Sequence, residues 1–179
     1  KDVLNVFTMP ATKISIENAK KDKLFYVVAN VVVYRRSDGR CLILKRDSRE
    51  KVHPGRYGVP GGKLEWGDLN IEKPTRMNGD VLDYENAVEE LLRRETREEA
   101  GIEIRGKLLY LNSVAFVRPD EIPVVLVKFV AEHASGDIKL EKGSFTDYVW
   151  VNAEEVDAYE CIDGMKDEVK QTIRLFSEL

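Results

Sequence analysis

Long apolar runs are missing from this chain. No stretch approaches the roughly 18 residues that a membrane-spanning helix needs, and the longest, 25–34 and 122–131, are strand-sized. Histidine and cysteine are scarce, at two each. His53 stands alone in Lys51-Val52-His53-Pro54-Gly55, where it reads as a loop residue, and neither cysteine has zinc or redox spacing. That argues against nitrogen- and sulfur-rich metal centres. Cys41 falls in the apolar segment 41–44, as a buried, inert thiol would. The start, Lys1-Asp2-Val3-Leu4, lacks the basic and apolar regions of a signal peptide, so a reduced, cytoplasmic setting is expected. An excess of positive charge is also absent: 28 Lys and Arg face 32 Asp and Glu, for a net charge of −4. This speaks against nucleic acid as a partner, though a single nucleotide needs only local positive charge and a metal.

What is present is a chain of 179 residues, 43% hydrophobic and 34% charged, long enough for one domain with a sizeable core. Residues 24–36 are rich in β-branched and aromatic types and read as a strand. Ser37-Asp38-Gly39 turns the chain into a second strand at 41–46. A loop from His53-Pro54-Gly55 ends in Val59-Pro60-Gly61-Gly62. A helix is expected over 84–100, with Asp83 as N-cap and Gly101 as stop. Strands at 107–117, 122–131 and 148–151 and a closing helix at 165–176 complete an α/β pattern. One domain spans 1–179, with 1–23 as an N-terminal extension.

The central helix carries the chemical signal. At about 100° per residue, Tyr84, Val88, Leu91 and Leu92 share one face, and Glu95, Glu98 and Glu99 continue it. Carboxylates at i, i+3 and i+4 repel each other and are costly to bury without compensation. Arg94 can pair with one, and a hard divalent cation with the others. The bland alternative, a solvated acidic helix end, is disfavoured by the helix dipole.

Gly61-Gly62-Lys63-Leu64-Glu65-Trp66-Gly67-Asp68, followed by Arg94-Glu95-Thr96-Arg97-Glu98-Glu99-Ala100-Gly101-Ile102, resembles the Nudix box. The resemblance extends over residues 24–178. It implies an α/β/α sandwich with a mixed β-sheet and a catalytic loop–helix–loop. Thr96 stands in an apolar slot of the pattern, and Asp68 where Glu is usual. Asp68 and Arg94 are also separated by an insertion of about 18 residues, including 69–83, which puts a metal role for Asp68 in question.

The resemblance implies a Mg²⁺-dependent hydrolase, with Mn²⁺ as an alternative ion, that cleaves a phosphoanhydride in a nucleoside diphosphate derivative. By resemblance, Glu95, Glu98, Glu99 and the Gly61 carbonyl hold metal, Arg94 orients a carboxylate, and Glu98 is the first candidate base. Glu121 and Asp147 are downstream alternatives. Arg46 and Lys63 are candidate phosphate contacts, Trp66 or Tyr57 a candidate stacking surface. Lys73 and Arg76 lie in the insertion, which reads equally as a substrate lid or a surface excursion. Pro119 falls near the place where ADP-ribose-cleaving members carry Pro, but in a turn where Pro is expected anyway. The substrate stays open, as does a homodimer. The competing reading is a catalytically idle ligand-sensing module. No nucleic-acid or membrane partner is expected.

Overall fold

The computed structural model describes residues 9–178; expectations for residues 1–8 lie outside that range. The β-branched run Tyr26–Arg35 forms β1, and the turn at Gly39 (φ 69°) leads to β2 (Arg40–Arg46). Two short strands follow, β3 (Tyr57–Gly58) and β4 (Gly61–Lys63). The insertion folds into a separate hairpin, β5 (Arg76–Asn78) and β6 (Val81–Asp83). Helix α1 (Ala87–Ala100), the long strands β7 (Glu103–Val117) and β8 (Pro123–Ser135), β9 (Phe145–Val151) and α2 (Met165–Ser177) complete the described chain.

The main sheet runs β3-β2-β1-β8-β7, with β4 added to β1 and β9 to β2. The pair β1–β8 is parallel and the other pairings are antiparallel, so the sheet is mixed. Side chains alternate across it. Ala29, Val31, Val33, Leu42 and Leu44 meet Leu91 and Leu92 of α1 on one face. Val32, Tyr34, Cys41 and Ile43 meet Met165, Val169 and Phe176 of α2 on the other. Because both faces are covered, β1 and β2 read as continuous apolar runs rather than alternating ones. Leu92 is fully buried, which stabilises the α1 face by about 2 kcal/mol.

Helix α1 starts later than expected. Asn86, in the left-handed region at φ 58°, takes the N-cap position without a side-chain cap. Asp83 instead closes β6, where Arg76 Nε donates to its carboxylate at 2.8 Å. The helix ends as expected at Gly101 (φ 72°), whose N–H donates to the Arg97 carbonyl. The buried stripe also differs from the expected one. It continues from Leu92 through Thr96 to Ala100, all fully buried. Thr96 Oγ1 donates to the Leu92 carbonyl at 2.9 Å, so the hydroxyl is satisfied in the core. The acids therefore flank the stripe rather than continue it.

Candidate active site

Strand β4 runs past the last turns of α1 with two glycines, and a side chain at either would meet an occupied space. A Cβ on Gly62 would lie 2.3 Å from Glu95 Oε1, and one on Gly61 2.3 Å from the Ala29 carbonyl oxygen. At Gly62 the Glu95 side chain of α1 thus fills the space that a side chain would take, whereas at Gly61 the backbone of β1 does. Gly61 N–H donates to Glu99 Oε2 at 2.9 Å.

The three helix acids occupy different environments. Glu95 is mostly buried, with 14% of its side chain exposed, whereas Glu98 is 54% exposed. Burial raises the Glu95 carboxyl above its ordinary value. Arg94 opposes that shift, while Glu98, Asp68 and Glu141 add to it. Glu99 is pushed up to about 8, chiefly by burial, against the Gly61 N–H that favours its charged form. The charges of Glu95 and Glu141 raise it further, and Arg46 lowers it.

Arg94 ties the cluster together. Its guanidinium lies 3.0 Å from Glu95 Oε1, 3.0 Å from Glu98 Oε2 and 3.2 Å from Asp68 Oδ1. The insertion therefore does not separate Asp68 from the helix. A short 3-10 turn, Trp66–Asp68, holds it, with Asp68 Oδ2 accepting from Glu65 N–H at 2.8 Å. Asp68 thus serves as a brace for Arg94.

Glu141 was missed by sequence reasoning. The segment before β9 runs along the end of α1, with Lys139 N–H donating to the Ala100 carbonyl and Glu141 N–H to the Glu99 carbonyl. That pairing sets a fourth acid near Glu95 and Glu99, where its charge acts on both. No local periodicity in the sequence marks it.

The remaining candidates are dispersed. Arg46 is close enough to lower the Glu99 carboxyl, while its guanidinium donates to the Val52 carbonyl and Glu50. Lys63 is exposed; it alternates with Gly62, which places it on the sheet face opposite α1. Asp147 pairs with Lys45 on the α2 side and accepts from Tyr57 Oη at 2.8 Å. Tyr57 is buried and Trp66 is 54% exposed. Glu121 lies in the β7–β8 turn, at the Tyr26 end of the sheet. Arg76 is engaged within the insertion, by Asp83 and Glu85.

Among the described residues, no three Asp, Glu, His or Cys side chains already converge to hold a metal ion. Arg94 draws Glu95 and Glu98, and Gly61 draws Glu99. The donor chemistry nevertheless fits a hard cation: all are oxygens, and buried like charges are what a divalent ion relieves. Among the described residues, no helix is long and apolar enough to cross a membrane.

Comparison with known proteins gives a consistent family. Nucleoside triphosphatase NudI of Escherichia coli K12 is 26% identical over 148 residues, spanning 78% of this chain and 89% of NudI. The crystal structure of a MutT protein from Methanosarcina mazei Go1 has a TM-score of 0.61 at 20% identity, covering 88% of this chain and 99% of that one. A C. elegans Ap4A hydrolase has a TM-score of 0.58 at 16% identity, covering 86% and 99%. The NUDIX domain profile matches residues 25–173. With the glycine strand set against the acidic end of α1 and the family profile matched along most of its length, this chain belongs to the Nudix hydrolase family.

Proposed function

We propose that the protein is a divalent-metal-dependent pyrophosphohydrolase that cleaves a phosphoanhydride bond in a nucleoside diphosphate derivative. The observation that carries this reading is the close packing of Gly61 and Gly62 against Glu99 and Glu95, with Arg94 bracing the acids. Glu95, Glu98, Glu99 and the Gly61 carbonyl would hold Mg²⁺ or Mn²⁺, with Glu141 as a further oxygen donor. The ion supplies charge neutralisation at the diphosphate and a lowered pKa for bound water.

The protein's own groups do the rest. Glu98, the exposed acid, accepts the proton of the attacking water as its oxygen bonds to phosphorus and the anhydride P–O bond breaks. Arg94 orients Glu95 and Glu98, and Asp68 holds Arg94. Arg46 offers positive charge on the metal side, once it turns from Glu50. The buried, unpaired cysteines suit a reducing compartment, and we place the protein in the cytoplasm.

The NudI relatives make nucleoside triphosphates the first substrates to test. A screen of these with ADP-ribose, sugar nucleotides and dinucleotides, in Mg²⁺ and in Mn²⁺, is expected to release a nucleoside monophosphate from at least one. Binding of these compounds without turnover would instead establish the ligand-sensing alternative.

A further inference from the structure

Strand β7 forms one end of the main sheet, and among the described residues no strand pairs with its outer edge. The opposite end is β3, which has two residues and is bridged by Cys161. Exposed edges are normally blunted by charge, proline, bulges or brevity. β7 is 15 residues long, and from Leu108 to Val117 it has neither a charge nor a proline, in a chain that is 34% charged. Its register shifts all precede Asn112, so Asn112 to Val117 run regularly against β8.

The free edge is open as well as unguarded. Arg118 N–H donates to the Ile122 carbonyl, on the β8 side. Backbone groups alternate along an antiparallel strand, so Val117, Ala115 and Ser113 turn their N–H and C=O outward. Every residue from Ser113 to Val117 is exposed. Val114 and Phe116 flank the edge on the α2 side, Tyr110 and Val117 on the α1 side, each 43–69% exposed. A bare ladder of donors and acceptors with apolar side chains on both faces is a template for another strand.

The register shows which strand fits. Ser113 pairs with Val127, midway along β8 between Glu132, the partner of Arg105, and Ile122, the partner of Arg118. A two-fold axis through Ser113 therefore lays β7 antiparallel on a copy of itself over its full length. Measured against β8, it sets Ala115 opposite the exposed Tyr110 of the other copy and Phe116 opposite Leu109, a small residue against a large one and apolar against apolar. The ends are complementary too. Arg105 is paired with Glu132 and Arg118 with Asp120, which leaves Lys107 as the net charge of one end and Glu121 as that of the other. The antiparallel arrangement brings Lys107 of each copy to Glu121 of its mate. A parallel one would set like charges together.

We infer that β7 is the interface of a homodimer, in which two copies pair edge to edge about Ser113 and join their main sheets into one. The interface does not depend on the hydrolytic reading.

The test is analytical ultracentrifugation of the full chain over a concentration series, with circular dichroism to verify folding. Wild type should dimerise with a Kd in the range of about 1–100 μM. Ala115→Pro removes an outward N–H and should leave a folded monomer. Val117→Lys, a change at a largely exposed position, should weaken dimerisation by about tenfold or more. Lys107→Glu should weaken it about tenfold through two repulsive contacts, and Lys107→Glu/Glu121→Lys should restore it. A wild type that stays monomeric throughout overturns the proposal and gives the edge to a strand of another protein. A dimer unaffected by both Ala115→Pro and Val117→Lys overturns β7 as its interface, and failure of the charge exchange to restore association overturns the two-fold about Ser113.

Discussion

Gly62 is coupled directly to the acids, because Glu95 occupies the space its side chain would need. Gly62→Ala forces the carboxylate away or β4 off the helix, and misplacement of about 1 Å can cost 100-fold in rate. We expect kcat/KM to fall at least tenfold in a protein that still melts cooperatively; unchanged activity would show that the Glu95 position is irrelevant. Thr96 behaves in the opposite way. Its hydroxyl is satisfied within its own helix, so Thr96→Val should change stability by less than about 1.5 kcal/mol and leave kcat unaffected. Asp47 carries a pH signature. Arg49 side-chain and backbone donors hold its carboxyl down at about 2. Its folded pKa is depressed, so its contribution is full above the unfolded value near 4 and disappears as pH falls through about 2. Denaturant melts of wild type and Asp47→Asn should therefore differ most above pH 5 and converge toward pH 2.

At the scale of elements, the insertion is predicted to be separable from the catalytic helix. Among the described residues, strands β5 and β6 pair only with each other, and Arg76 is paired with Asp83 and Glu85. Replacing residues 70–83 with a short Gly/Ser linker should keep kcat/KM within about threefold and retain the Asp68–Arg94 brace; a large KM increase would establish the insertion as a substrate lid. The helix itself was legible in the sequence, because its acids, arginine and terminal glycine have fixed spacing. Its start was not, since Asp83 had an unforeseen partner in Arg76, and a left-handed Asn86 leaves no capping signal. Nor was the Thr96 stripe: a hydroxyl that bonds its own helix reads as polar in sequence and packs as apolar. Glu141 and Asp147 show the limit more sharply. Both are acids beyond the central helix, yet backbone pairing to the α1 terminus brings one to the site, and strand pairing with Lys45 sends the other to the α2 face.

For the whole molecule, the mixed sheet divides the work between its faces. One face carries α1, the acids and Arg46; the other carries α2, and β4 touches both. The Nudix resemblance implied that layering, whereas the strand register depends on long-range pairing and bulges in β7. The central claim is that the acids at the end of α1 drive hydrolysis. It is tested most directly by assaying wild type and Glu98→Gln on the best nucleoside triphosphate or diphosphate substrate, with Mg²⁺ and with EDTA, alongside circular dichroism. The account predicts nucleoside monophosphate release by wild type only with metal, and a loss of at least about 100-fold in the folded variant. Full activity in Glu98→Gln, or undiminished release in EDTA, would contradict it.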